Sequence, residues 1–242
     1  MSAEQDGAND PNGIDWTDAG TPRAAAFDDV YYSDADGRAE CEHVFLAGNG
    51  LPDRWRGQTR FAIAELGFGT GLNALTTLAL WRRTQPSDAV LDVTSFEAHP
   101  LSAEDMRRAL SRWPDLARDA EALLADWPPP PGFSTRALGP MRLTLAIGDA
   151  NALLPDWRGR ADAWFLDGFN PAKNPELWNA DLMLALAART APGGSFATYT
   201  AAGWVRRNLV AAGFAVEKRK GFGAKREMMI GRRAPRSDAP SE

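Results

Sequence analysis

The chain has 242 residues, of which 44% are hydrophobic and 24% charged, with a formal net charge of −5 at pH 7; that is enough apolar material for one large domain with a sizeable core. No apolar run approaches the roughly 20 residues that cross a bilayer, and the acidic N-terminus (Glu4, Asp6, Asp10) has no signal-peptide pattern, so the expected compartment is the cytoplasm, with no membrane partner. One cysteine, Cys41, cannot form an internal disulfide, two histidines (His43 and His99) do not make a Cys/His metal site, and no G-x-S-x-G elbow supports a serine hydrolase.

In chain order, residues 1–20 read as a disordered tail, most plainly over the polar stretch 1–13. Residues 21–233 are expected to form the domain, with a β extension over about 21–58, and 234–242 a second polar tail. In the extension, Val30-Tyr31-Tyr32 and His43-Val44-Phe45-Leu46 are β-prone, and Asp34-Ala35-Asp36-Gly37 between them suits a hairpin turn. Strands and helices then alternate. Strands are expected at 61–66, 90–96, 141–147, 163–166, 195–200, 214–218 and 226–230. Helices are expected at 72–81, 101–113, 115–127 (stopped by Pro128 to Pro131), 177–188 (ended by Pro192-Gly193-Gly194) and 204–212. Such alternation predicts an α/β fold, a mostly parallel sheet with helices on both faces. The short Gly221-Phe222-Gly223 link cannot make a parallel crossover, so the last two strands form an antiparallel hairpin.

The segment Glu65-Leu66-Gly67-Phe68-Gly69-Thr70-Gly71-Leu72-Asn73 joins the first of these strands to its helix. Its glycines permit a sharp turn and close approach to a ligand beyond the carboxyl ends of the strands. The dinucleotide fingerprint G-x-G-x-x-G fails, because its third glycine would fall at Leu72. The spacing is G-x-G-x-G after an acid, Glu65. An acid suits the ammonium and sulfonium of S-adenosylmethionine and would repel a pyrophosphate. Cofactor contacts are therefore expected from Glu65, Gly67, Phe68, Gly69, Thr70, Gly71 and Asn73. Glu97, closing the next strand, stands where an acid binds ribose hydroxyls. Asp149, closing the third, either accepts from an adenine amino group or caps the following helix.

Asp167 follows the buried-looking Ala163-Trp164-Phe165-Leu166 at a strand end, next to the expected methyl donor. A carboxylate there can orient an amine and accept its proton. The following Gly168-Phe169-Asn170-Pro171 departs from the Asp/Asn-Pro-Pro-aromatic motif of enzymes acting on planar amino groups, which leaves room for a different nitrogen. Methylation at a pyrimidine ring carbon would need a cysteine thiolate, and nothing in the sequence places Cys41 beside Asp167.

Together, Glu65–Asn73, Asp162–Phe169, Pro171-Ala172-Lys173-Asn174-Pro175 and Lys218–Met228 resemble the methyltransferase domain of the bifunctional tRNA 5-methylaminomethyl-2-thiouridine biosynthesis proteins, as do Phe27–Tyr31 and Val44–Leu46. The resemblance covers roughly residues 21 to 231. It implies a class I S-adenosylmethionine methyltransferase (Rossmann-like) fold, and methyl transfer to the primary amine of 5-aminomethyluridine at the tRNA wobble position. It places Asp167 and Phe169 at the reaction site. The oxidase half of such proteins uses FAD. No second glycine fingerprint follows here, so neither FAD nor a metal is expected, and the oxidase is a separate or fused partner acting upstream.

Charge is unevenly spread. Residues 1–53 carry twelve acids against Arg23 and Arg38, whereas residues 201–233 carry nine Lys/Arg against Glu217 and Glu227. Lys173, Lys218, Arg219, Lys220, Lys225 and Arg226 are candidate tRNA contacts, as are Arg206 and Arg207, with Phe169 and Phe222 available to stack on a splayed-out base. The bland reading of such a run is a solvated face. Other readings are a small-amine methyltransferase, a non-catalytic cofactor-binding module and, against the loop spacing, a dinucleotide oxidoreductase.

Overall fold

The computed structural model describes residues 13–234; residues 1–12 and 235–242 of the expected tails lie outside it. The first strand, β1 (Ile14–Trp16), falls within the stretch read from sequence as tail, because it pairs antiparallel with β2 (Pro22–Ala24), which in turn pairs with β3 (Asp29–Val30).

The expected hairpin does not form. Asp36 instead accepts from the backbone N–H groups of Arg38 and Ala39 and caps a helix, α1 (Gly37–Cys41), which runs on into a π-type turn (Glu42–Leu46) and two 3-10 turns. The physical reason is burial on consecutive positions. Val44, Phe45 and Leu46 are all buried, which a hairpin strand with one face in water cannot achieve. Phe45 stacks on Phe165 at 5.4 Å between ring centroids.

The main body follows in order: β4 (Arg60–Leu66), α2 (Leu72–Thr84), β5 (Val90–Glu97), α3 (Ala103–Leu110), α4 (Ala117–Leu124), β6 (Gly132–Leu138), β7 (Met141–Ile147), α5 (Ala150–Asp156), β8 (Ala161–Leu166), α6 (Ala180–Ala188), β9 (Thr190–Thr198), α7 (Gly203–Ala211), β10 (Phe214–Lys220) and β11 (Glu227–Arg233). Eight strands make one sheet in the order β10-β11-β9-β8-β4-β5-β7-β6. The five strands from β9 to β7 are parallel, β11 pairs antiparallel with β9 and forms the expected antiparallel hairpin with β10, and β6 pairs antiparallel with β7. Strand β6 is not among the elements expected from sequence, and α5 is anticipated only as the helix that Asp149 could cap. Pro192-Gly193-Gly194 does not end a helix: α6 stops at Ala188, and these residues lie inside β9, which pairs with β8 across an irregular register.

Alternation along the strands sorts the core into two layers. Phe61 and Ile63 of β4 and Ala163 and Phe165 of β8 join the cluster that contains Leu75, Leu78 and Trp81 of α2. Ala64, Leu66, Trp164 and Leu166 join the opposite cluster with Leu182, Leu186 and Leu209. With a period of two, Glu65 and Asp167 fall on the α2 side, at the carboxyl ends of neighbouring strands. Their register is fixed: Glu65 lies opposite Phe165, and the Asp167 N–H donates to the Leu66 carbonyl at 3.0 Å. Among the described residues no helix is long and apolar enough to cross a membrane.

Candidate active site

A cavity of about 580 Å³ opens beyond the carboxyl ends of β4, β5, β7 and β8, the usual ligand position in an open α/β sheet and a size suited to a small cofactor with its substrate group. The glycine loop forms its floor. Gly67, Gly69 and Gly71 all have positive φ (89°, 52° and 79°). At Gly67 a Cβ would run into the backbone oxygen of Asp167, so the close passage of the two strand ends requires glycine there.

Beneath the loop four polar side chains form one network. Asn73, on the first turn of α2, donates from Nδ2 to Glu65 Oε1 at 3.0 Å and to Asp167 Oδ2 at 2.6 Å. Ser95 Oγ donates to Glu65 Oε2 at 2.6 Å. Burial pushes Glu65 up to about 7, with the Glu97 charge adding to the rise and the Ser95 and Asn73 hydrogen bonds opposing it. Asp167 is held well above the usual carboxylate range by burial and by the charges of Glu65 and Glu40, against the pull of Asn73 and Lys225. Two acids so placed favour a cationic ligand, whose charge relieves both. The donor set therefore fits S-adenosylmethionine, with Asp167 exposed to the cavity and Glu65 acting from behind Asn73.

The remaining predicted cofactor residues divide as follows. Gly67, Phe68, Gly69, Thr70, Asn73, Glu97, Asp149 and Asp167 line the cavity; Glu65 and Gly71 do not. Gly71 is the cap of α2. Glu97 accepts the Gly69 N–H at 2.9 Å and the His99 N–H at 2.7 Å, so it holds the loop as well as facing the cavity. Asp149 caps α5 by accepting the Asn151 N–H at 2.8 Å while also lining the cavity; the two roles offered by the sequence are compatible. Phe68 stacks on Trp127 at 5.8 Å between centroids.

At the opposite wall, Phe169 stacks on Phe27 (4.7 Å) and meets Tyr31 edge-on (5.1 Å). Of the basic candidates only Lys225 lines the cavity. Lys173 is tied to Asp28, Lys218 to Glu227 at 2.7 Å and Arg219 to Glu217 at 3.1 Å, all on the surface. Lys220 and Arg226 are exposed at the end of the hairpin and Phe222 is half-buried there, its ring 6.0 Å from that of His43; none of the three lines the cavity.

The sequence alone misses Glu40, Cys41 and Tyr199, all of which line the cavity. Cys41 corrects the expectation that it lies away from Asp167: the helix α1 turns it inward. Burial, then the charges of Glu65 and Asp167, push its thiol well above its ordinary value, so it stays protonated and is no thiolate nucleophile. Tyr199, just past β9, donates to the Gly168 carbonyl at 2.7 Å and braces the loop that carries Asp167. Its only sequence signal is its place after a strand end.

Comparison with known proteins agrees with this geometry. Residues 114–234 match the model of a family described as S-adenosyl-L-methionine-dependent methyltransferase. The tRNA 5-methylaminomethyl-2-thiouridine biosynthesis bifunctional protein MnmC of Caulobacter vibrioides is 46% identical over 228 residues, 90% of this chain and 38% of that protein. Its counterpart in Ectopseudomonas mendocina is 49% identical over 224 residues, 90% of this chain and 34% of that protein. The chain thus spans little more than a third of these curated relatives. The crystal structure of MNMC2 from Aquifex aeolicus superposes with a TM-score of 0.72 at 27% identity, covering 92% of this chain and 70% of that one. With the glycine loop, the acid pair behind it and the family match in agreement, the chain belongs to the S-adenosyl-L-methionine-dependent methyltransferases, and S-adenosylmethionine is its cofactor.

Proposed function

We propose that the chain methylates the primary amine of 5-aminomethyluridine, with or without the 2-thio group, at the wobble position of tRNA. The observation that carries this reading is Asp167, a carboxylate with raised proton affinity facing the cofactor cavity. The names of the relatives, 46–49% identical over about nine-tenths of this chain, supply the substrate.

An alkylamine is mostly an ammonium near neutral pH, and only its neutral form has the lone pair that attacks. S-adenosylmethionine, when bound, supplies the electrophilic methyl group. The protein must bind the ammonium and take one proton from it. A carboxylate with an ordinary pKa is a weak acceptor for that proton; burial beside Glu65 and Glu40 makes Asp167 a stronger one. Asn73 fixes its orientation through Oδ2. Phe169, already engaged with Phe27 and Tyr31, offers an aromatic wall for the uracil ring. The exposed basic residues of the β10–β11 hairpin are the proposed contacts to tRNA phosphates. Cytoplasmic location and an oxidase acting upstream, separate or fused, belong to the same reading.

The test is methyl transfer from labelled S-adenosylmethionine to tRNA bearing 5-aminomethyluridine, followed by nucleoside mass analysis. A gain of one methyl on that nucleoside is expected. No gain, with cofactor binding intact and a known enzyme active on the same tRNA, would reject the substrate.

A further inference from the structure

The cavity wall also holds a small constellation apart from the residues assigned above to the cofactor. Glu40 of α1 is buried and faces the cavity; its Oε2 accepts the Ser33 N–H at 2.8 Å, which fixes the carboxylate in place. The Tyr199 ring is fixed by its own bond to Gly168. Between them lies the ammonium of Lys225, 2.9 Å from Glu40 Oε1 and 4.1 Å from the centroid of the Tyr199 ring. A carboxylate and an aromatic face around one cation are a well-suited ammonium receptor. The occupant differs from its carboxylate host in exposure: Lys225 is 47% exposed and Glu40 9%. Lys225 also stands in the short link between β10 and β11, near Gly223, whose φ is +56° and which has open space beside it.

The end of a lysine side chain is –CH2–NH3+, the same group that an aminomethyl substituent presents. Glu40, Lys225 and Asp167 line the same cavity, and the charges of Glu40 and Lys225 both act on Asp167, so the proposed proton acceptor responds to a cation at this place. We propose that Glu40 and Tyr199 form a receptor for the –CH2–NH3+ group of the substrate, which the protein's own Lys225 fills until the substrate displaces it. The proposal rests on the aminomethyl substrate argued above and adds the residues that select it.

The exchange has a consequence for specificity. Lys225 leaves Glu40 at the cost of a charged hydrogen bond in a half-shielded site. A substrate ammonium replaces that bond with one of the same kind, whereas a uridine without the amine leaves a buried carboxylate unpaired. Discrimination thus comes from the vacancy that a wrong base would create.

The experiment uses the full chain saturated with S-adenosylhomocysteine, with n-butylammonium as probe. Binding is followed on the ring signals of the three tyrosines, Tyr199 being assigned with Tyr199→Phe. Lys225→Ala, which empties the place between Glu40 and Tyr199, is expected to bind n-butylammonium at least about tenfold more tightly than the wild type, where lysine competes, with the Tyr199 signal moving. Adding Glu40→Gln to Lys225→Ala is expected to remove the binding while thermal unfolding and S-adenosylhomocysteine affinity stay unchanged. Equal affinity in wild type and Lys225→Ala overturns the proposal. So does binding that persists without the Glu40 charge. If n-butylammonium binds as expected but aminomethyl-tRNA is not methylated, the receptor stands and the tRNA reading falls. If that tRNA is methylated but amine binding does not depend on Glu40, the tRNA reading stands and the receptor falls.

Discussion

The amide of Asn73 donates to Asp167 at 2.6 Å, and so couples the acid at the cavity wall to α2, the helix that the glycine loop starts. This bond orients Asp167 without neutralising it. Asp167→Asn can still turn its carbonyl toward Asn73, so the fold and most of the cofactor site persist, while the proton acceptor is lost. Turnover is expected to fall by about 10² to 10⁴, with the S-adenosylmethionine dissociation constant within a few-fold of wild type. Single-turnover methylation beside calorimetric binding checks both halves, and equal turnover removes Asp167 from its proposed role.

Glu65 makes the protein sensitive to pH in a definite direction. Its proton affinity rises from the ordinary 4.5 to about 7 on folding. Between those values the folded chain holds more protons than the unfolded one, so this group's contribution to stability falls as pH rises and is least favourable above 7. The largest effect is about 3 kcal/mol. Glu65→Gln removes the charge at nearly constant shape. The stability of the variant relative to wild type is therefore expected to increase from pH 4.5 to 7, as read by urea unfolding without cofactor. A difference that is flat with pH would show that Glu65 ionises as freely in the folded chain as outside it.

Two glycines with positive φ provide a matched pair of substitutions. Gly67 has φ 89° and no room for a Cβ against the Asp167 backbone; Gly223 has φ 56° and nothing near it. Gly223→Ala bears only the conformational cost, about 1 kcal/mol. Gly67→Ala adds a clash between two strand ends that the sheet holds in register, and about 2–4 kcal/mol of destabilisation is expected together with loss of cofactor binding. Comparable melting temperatures for the two variants would contradict the close packing at Gly67.

If the β10–β11 hairpin contacts tRNA phosphates, each contact contributes to the salt dependence of binding. Lys218→Ala and Lys220→Ala are each expected to weaken binding similarly across tRNA sequences and to reduce the slope of log K against log salt by about one. Filter binding over a series of salt concentrations, with S-adenosylmethionine affinity as control, makes the measurement. Unchanged slopes would assign these residues to the solvated surface instead.

The parts of the site that are legible in the sequence are those built from neighbours along the chain. The glycine loop, Glu97 and Asp167 each close a strand whose apolar residues mark it, so chain order alone puts them at one end of the sheet. Parity then turns Glu65 and Asp167 toward the same helix. Strand β6 is hidden because it is an outer strand with polar and charged positions (Ser134, Thr135, Arg136) and no apolar run. The helical stretch 37–46 escapes a sequence reading because Val44-Phe45-Leu46 is strand-like in composition, and only the packing of all three beneath the sheet makes it helical. Glu40 and Lys225 are 185 residues apart, and no local pattern links them; the ion pair exists because α1 and the final hairpin border the same cavity.

Among the described residues strand β10 is the outermost of the sheet and pairs with β11 alone. Its free edge, along which no described strand pairs, is a template on which another chain could extend the sheet. Glu217, Lys218, Arg219 and Lys220 occupy the second half of that strand, all exposed, and charges so placed block such pairing. The basic run thus guards solubility whatever it binds. Neutralising several of these residues together would expose a bare sheet edge, so a heavily substituted hairpin would lose tRNA through self-association as readily as through missing phosphate contacts.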